Sequence, residues 1–261
     1  MTEAQIILIF IVGIASGFVN VVGGGGSLIS LPALIFVGLP SAMANGTNRV
    51  ALMVQSLVAI GYFQKKGFFY PKLSIMLGIP AVLGSIVGAK FAISLSDEMF
   101  NNILAGVMLT VLVLIIWRPE KKFIKSEEEN GENLSLPRQS MAALVFFGVG
   151  FYGGFIQAGV GFIIIASLAM ITGMSLVKIN SLKVTVTAIY MLSSLLVFVF
   201  SGNVHWLYGF ILAGGNAIGA YLGGVFSVAG GDKWIRAFLV VAVLIMAGQL
   251  LGVYRFLTAL L

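Results

Sequence analysis

The stretch NVVGGGGSLISLP, residues Asn20–Pro32, places four consecutive glycines between two apolar runs. Glycine costs more backbone entropy to fix in a helix than any other residue, so a run of four predicts a helix break. Inside a bilayer, backbone groups outside helices must be buried in protein or line a polar cavity. The stretch therefore predicts two helices joined by a break, Gly23–Gly26, in the interior of a membrane protein.

The composition places the whole chain in the membrane class. Of its 261 residues, 59% are hydrophobic and 9% are charged, and the mean hydropathy is +1.09. Soluble domains carry about 25% charged residues. We expect an all-α polytopic membrane protein, with these apolar segments: Ile6–Val22, Gly26–Val37, Ala42–Phe63, Leu73–Leu95, Phe100–Trp117, Met141–Gln157, Phe162–Thr172, Leu176–Phe200, Trp206–Ala229 and Trp234–Tyr254.

An internal repeat relates the two halves of the chain at a constant separation of 135 positions, without a gap. Residues 1–117 and 140–261 would be two transmembrane repeats of about five segments each, joined by a hydrophilic linker at residues 118–139. The matched pairs include Gly13 and Gly148, Gly24 and Gly159, Gly26 and Gly161, Asn45 and Asn180, and Asp97 and Asp232.

The charges of equivalent loops predict how the repeats are oriented. The loop Gln64–Lys72 contains three lysines, whereas its partner Ser201–Trp206 contains none. The loop Ser94–Glu98 is acidic, whereas its partner carries Lys233 and Arg236. Because basic loops favour the cytoplasmic side, the repeats are predicted to be inverted, with the linker in the cytoplasm and both termini outside.

One segment in each repeat is too short to span a bilayer comfortably. Gly26–Val37 would be about 18 Å long as a helix, and Phe162–Thr172 is similar. We expect broken or re-entrant hairpins, with a second break at Gln157–Gly161. The positive ends of the two short helices, with Ser27, would suit an anion. The alternative is that these glycines only allow helices to pack closely.

Each repeat also carries one cation in its most polar apolar segment, Arg49 or Lys183. An interior charge costs about 2.5 kcal/mol or more to insert, which favours a functional role over the alternative, snorkelling to the interface. The candidate substrate-binding residues are Gly24, Gly25, Gly26, Ser27, Asn45, Thr47, Asn48, Arg49, Gln157, Gly159, Gly161, Asn180 and Lys183.

The acidic residues define what the site would bind. All nine lie at termini or in predicted loops, so no carboxylate is expected within a span to bind a cation or relay a proton. The expected partners are a small anion and the lipid bilayer, not nucleic acid, because no basic patch with interleaved aromatics occurs. Neither an enzyme motif nor a metal-ligand motif is present, so we expect no catalytic residues, metal or cofactor.

Three stretches resemble one known family: Gly23–Ala51, Gly150–Phe162 and Gly202–Gly224 are similar to the TauE/SafE family of membrane permeases, often called sulfite exporters. The resemblance implies transport of small sulfur-containing anions, such as sulfite or sulfonates, across a prokaryotic cytoplasmic membrane. By the family pattern, Gly46, Thr47, Asn48 and Lys183 would fall in stretches that line the path.

The first hypothesis is therefore a secondary permease, an exporter working by alternating access of two inverted repeats around a site at the membrane midplane. A passive anion channel would use the same residues. A third hypothesis is a membrane subunit that does not transport and that holds a partner through the loop Arg118–Gln139.

Overall fold

The computed structural model describes residues 2–117 and 136–229, and these residues form nine α-helices. The helices are α1 (Glu3–Val22), α2 (Ser27–Phe36), α3 (Ser41–Lys65), α4 (Pro71–Ser94), α5 (Asp97–Trp117), α6 (Leu136–Phe155), α7 (Val160–Thr172), α8 (Leu176–Phe200) and α9 (Trp206–Ala229).

Each apolar segment predicted within the described residues corresponds to one helix, and both predicted breaks separate helices. Most helix bounds lie within three residues of the predicted ones, and the largest difference is at the start of α6. Helix α6 begins at Leu136, inside the segment assigned to the linker. Pro137 follows directly, and proline is favoured in the first turn of a helix because its missing N–H would have no partner there. The predicted segment Trp234–Tyr254 lies outside the described residues.

Four described helices are long and apolar enough to cross a membrane: α1, α4, α8 and α9. Large apolar side chains lie exposed on their outer faces, as with Ile7, Ile79 and Phe210, each at least 59% exposed. Such an apolar exterior fits a lipid environment. Helices α2 and α7 are short and apolar, with 10 and 13 residues.

The first helix of each half packs along the fourth helix of the other half, so α1 lies against α9 and α6 against α4. Glycines allow the two helices of each pair to approach closely. A Cβ at Gly219 would overlap the backbone of Ile14, and a Cβ at Gly84 would overlap the backbone of Phe147. Small residues at four-residue spacing are a frequent way for membrane helices to approach one another.

Helices α3 and α8 run in opposite directions. The N–H of His205, in the connection after α8, donates to Thr47 Oγ1 near the start of α3 at 2.8 Å. At the other end of the pair, Ser181 near the start of α8 donates to the carbonyl of Phe68, just after α3. The bounds of α8 equal those of α3 moved by 135 positions, and the same holds for α9 and α4.

The two breaks touch each other in the interior. Gly161 N–H donates to Gly24 O at 3.2 Å, and a Cβ on either residue would overlap the other residue's backbone. Gly24 has a φ of +82°, a conformation that side chains with a Cβ rarely adopt. The crossing therefore needs glycine at both positions, and it brings the ends of α1, α2, α6 and α7 together.

Candidate functional site

Arg49 is fully buried and holds the last turn of α6. Its Nη1 donates to Gly153 O at 3.0 Å and to Ser194 Oγ at 2.9 Å, and its Nη2 donates to Gly154 O. Asn45, one turn earlier on α3, accepts from Arg49 Nη2 at 3.2 Å and donates to the carbonyl of Phe155 at 2.7 Å. Together, the two side chains bind the carbonyls of the last three residues of α6.

Lys183 does the same for the last turn of α1. Its Nζ donates to Asn20 O at 3.0 Å, to Val21 O at 2.8 Å and to Asn180 Oδ1 at 2.9 Å. Asn180 in turn donates to Val22 O at 3.4 Å. Again, a cation and an asparagine on a single helix bind the carbonyls of the last three residues of the other half's first helix.

These contacts have a clear electrostatic basis. The last four carbonyls of a helix have no partner within it, and they form the negative end of the helix dipole. Neither α1 nor α6 has a basic residue in its own last turn. The charge that caps each helix end therefore comes from another helix, more than 100 positions away along the chain. We call the pair Asn45 and Arg49 the arginine clamp, and the pair Asn180 and Lys183 the lysine clamp.

A small polar cavity lies beside the lysine clamp, where the end of α1, the start of α7 and the middles of α3 and α8 meet. The space open to the centre of a water molecule is about 10 Å³, which suits roughly one water molecule. Its walls combine one ammonium group with amides and hydroxyls. The lining residues are Asn20, Gln55, Ser56, Gln157, Val160, Gly161, Lys183, Val184 and Thr187.

The cavity has the chemistry of an anion site. Its one charged side chain is Lys183, and no carboxylate is among its lining residues. Ser56 has a buried hydroxyl that finds no hydrogen-bond partner among the described residues. Leaving such a group unpaired costs about 1–3 kcal/mol. A bound oxyanion or water would accept from this hydroxyl and would lie near the ammonium group of Lys183.

Three of the residues predicted from the sequence line this cavity: Gln157, Gly161 and Lys183. Asn180 does not line the cavity but accepts a hydrogen bond from Lys183, which does. Gly24 likewise accepts a hydrogen bond from Gly161. Arg49 lies outside the lining. The structure thus brings the second-half candidates together around the cavity more fully than those of the first half.

The other first-half candidates have partners within the protein. Thr47 accepts from the backbone of His205, and Asn48 Oδ1 accepts from Ser30 Oγ at 2.7 Å, while its Nδ2 has no partner among the described residues. The remaining predicted positions lie at the two breaks: Gly25, Gly26 and Ser27 are buried around the start of α2, and Gly159 precedes α7 with a φ of +72°.

The candidate set derived from the sequence lacks four polar residues that line the cavity. These are Asn20, Gln55, Ser56 and Thr187. Ser56 could have been found by spacing, since positions 45, 49, 52 and 56 follow one face of a helix. Asn20 stands at the end of an apolar run, where an asparagine is also typical of a helix terminus. Within the ranges 2–117 and 136–229, no three His, Asp or Glu side chains are grouped to hold a metal ion.

Comparison with known proteins identifies relatives that are named as membrane transporters. The chain is 28% identical to a protein of Haemophilus influenzae named probable membrane transporter protein, over 93% of both chains. It is 27% identical to the probable membrane transporter protein YfcA of Escherichia coli, over 94% of this chain and 88% of the relative. No solved structure matches the chain. The model of the family described as sulfite exporter TauE/SafE matches residues 9–250, and the chain belongs to that family of membrane transporters.

Proposed function

We propose that the protein is a secondary permease that exports small sulfur-containing anions, such as sulfite or short sulfonates, by alternating access. The observation that carries this proposal is the lysine ammonium group in a buried cavity beside an unpartnered hydroxyl, at the point where the two breaks meet. An oxyanion bears several acceptor oxygens around one charge, which matches a site made of one cation and several neutral donors.

The proposed transport cycle starts from an occluded state. A cavity with room for about one water molecule is too small for sulfite. Anion entry therefore requires the helices around the cavity to move apart, first on one side of the membrane and then on the other. In this proposal the moving parts are two inverted repeats, residues 1–117 and 140–261, on either side of a cytoplasmic linker.

Two features support the inverted arrangement. Helices α3 and α8 occupy equivalent places in the repeat and run in opposite directions. The helix pairings are also exchanged between the halves, since α1 with α9 and α6 with α4 correspond under the repeat. Inverted repeats with broken helices at a central site are a common transporter design.

The charges at the two ends of the bundle support the assignment of sides. Lys65, Lys66 and Lys72 lie at the end of α3 where Phe68 contacts α8. Asp97 lies at the other end, where its carboxylate accepts from Ser41 N–H at 2.8 Å. By the preference of basic loops for the cytoplasm, the lysine end faces inward. An inside-negative potential then drives an anion outward by about 2.3 kcal/mol per charge per 100 mV.

The test is sulfite flux from proteoliposomes containing the purified protein, with the membrane potential clamped at several values. Saturable flux that rises with inside-negative potential is the expected result. Flux that increases linearly with sulfite concentration, without saturation, contradicts the permease hypothesis and favours a passive channel. Absence of sulfite and sulfonate flux from folded protein contradicts both, and favours a role for the linker in holding a partner.

A pair of serine variants tests the site itself. Ser56 and Ser74 both carry buried hydroxyls without a partner in the described structure, and only Ser56 lines the cavity. We expect Ser56→Ala to raise the sulfite KM about tenfold, which corresponds to the loss of one hydrogen bond to a charged group. Ser74→Ala is the matched control and should leave the KM unchanged. Equal effects of the two substitutions contradict the assignment of the cavity.

A further inference from the structure

The two clamps differ in their access to the cavity, and this difference carries a further inference, which rests on the proposed function. Lys183 lines the cavity, whereas Arg49 is sealed from it. The two cations stand one position apart in the predicted repeat, which places Lys183 opposite Asn48 and Arg49 opposite Val184.

Every N–H donor of the Lys183 ammonium group already has an acceptor in the protein. An ammonium group has three N–H donors. Asn20 O, Val21 O and Asn180 Oδ1 take all three. An anion in the cavity therefore gains a hydrogen bond from Lys183 only if one of these acceptors gives up its place. Two of the three acceptors are the carbonyls that end α1, so the anion competes directly with the last turn of that helix.

The arginine clamp is not open to this competition. Its Nη1 and Nη2 bonds to Gly153, Gly154 and Ser194 lie in dry protein, and the guanidinium carbon stands 4.7 Å from the centre of the Phe198 ring. The accessible surface of Arg49 is 0%. The last turn of α6 thus stays held whether or not the cavity contains an anion.

The two breaks also differ in how their backbone is held. The break after α1 is four glycines long, and Gly24 N–H donates to Asn20 O, one of the carbonyls that Lys183 binds. The break after α6 is tied down by side chains: Tyr152 OH donates to Ala158 O, and Tyr190 OH donates to Gln157 Oε1 at 3.1 Å. The flexible break is the one next to the clamp that an anion can reach.

We propose that the anion and the last turn of α1 compete for Lys183, so that substrate binding releases the unit formed by α1 and α2, while Arg49 keeps the unit formed by α6 and α7 in place. Lys183 is then the residue that binds substrate, and Arg49 is a positioning residue. The tetraglycine break serves as the joint around which the released helix ends rearrange.

Hydrogen exchange of the protein in lipid nanodiscs tests the proposal, comparing sodium sulfite with sodium chloride at equal ionic strength. Release of α1 should speed the exchange of amides in residues 20–26, including Gly24 N–H, while those in residues 153–160 stay unchanged. Equal acceleration of both segments overturns the proposal, and so does protection of residues 20–26. Flux is measured on the same preparation, so that sulfite flux with no difference between the segments contradicts this inference and leaves the proposed function standing.

Conservative variants separate binding from positioning. Lys183→Arg keeps the charge but changes its reach, and we expect the sulfite KM to rise about tenfold. Arg49→Lys also keeps the charge, but a single ammonium group cannot replace the hydrogen bonds of both Nη1 and Nη2. We expect a lower maximal flux with a KM within about twofold of the original. A tenfold rise of the KM in Arg49→Lys would mean that Arg49 binds the anion, which overturns the division of roles.

Discussion

The unit formed by α1 and α2 and the unit formed by α6 and α7 have the same design but different residues at their breaks. Each is a long helix, a break and a short helix, and each has its long helix capped by an asparagine and a cation of the other half. The first has four glycines at its break. The second has Gln157 in a left-handed conformation with a φ of +63°, held by a hydrogen bond from Tyr190.

This comparison teaches that two similar units can differ in role through very small changes. Both halves keep the asparagine, at 45 and at 180, and both keep one cation nearby. The cation is four positions after the asparagine in the first half and three positions after it in the second. Of the two cations, Lys183 borders the cavity and Arg49 does not. The capping function is thus duplicated, whereas the proposed substrate-binding function belongs to one half.

The largest expected effect comes from removing each cation. Arg49→Met leaves the carbonyls of Gly153 and Gly154 without a donor in dry protein, and we expect a loss of about 4 kcal/mol in the free energy of unfolding. Lys183→Met should cost about 2 kcal/mol, because water in the cavity can bind the carbonyls that lose their donor. Reversible unfolding in mixed micelles measures both values. Equal losses, or a larger loss for Lys183, would contradict the contrast between a sealed and an accessible clamp.

A smaller effect is expected where the two breaks touch. Gly161→Ala adds a Cβ that overlaps the backbone of Gly24, which cannot move aside as a side chain could. Overpacking of this kind costs about 1–3 kcal/mol. Gly61→Ala is the matched control, since its Cβ would meet no atom within 4 Å, and alanine there should be neutral or stabilising by up to about 1 kcal/mol. If both variants unfold at the same denaturant concentration as the parent protein, the breaks are not in contact.

The sequence predicted the helices well because the bilayer restricts the choices so strongly. A run of apolar residues of the right length has to form a helix, and the four glycines after Val22 have to interrupt one. The largest difference at a described boundary, at Leu136, lies where polar residues continue a helix beyond the expected edge of the membrane.

The partners of the site residues could not be predicted in the same way. The sequence shows that Arg49 lies within an apolar segment, but two of its acceptors are backbone carbonyls 104 and 105 positions later. Backbone atoms are the same in every residue, so no residue type marks them as partners. Ser56 was missed for a related reason, since a single serine within an apolar segment is indistinguishable from one that packs against a neighbouring helix.

The two asparagines give a finer test of the clamps. Asn45 Nδ2 donates to Phe155 O at 2.7 Å, whereas Asn180 Nδ2 lies 3.4 Å from Val22 O. We expect Asn45→Ala to lower the free energy of unfolding by about 2 kcal/mol, and Asn180→Ala to lower it by about 1 kcal/mol, since the longer bond is weaker. The same micelle assay measures both. A larger loss for Asn180→Ala would show that the lysine clamp is the tighter of the two.

The smallest change in stability is expected at Gln157, the one non-glycine residue with positive φ in the described structure. Gln157→Gly relieves about 1 kcal/mol of backbone strain and gives up about 1 kcal/mol of hydrogen bonding with Tyr190, so the two effects nearly cancel. Sulfite flux should nevertheless fall, because Gln157 lines the cavity and because the glycine would make the second break as flexible as the first.

The flux of this variant decides between two reasons for the strain at Gln157. Strained backbone persists where the surrounding structure fixes it, and such positions cluster at functional sites. If flux falls while stability stays within about 0.5 kcal/mol, the glutamine is kept for its place in the cavity and for the stiffness of its break. Normal flux at unchanged stability would show that the break after α6 can be as flexible as the break after α1, and the difference between the two units would then lie in the clamps alone.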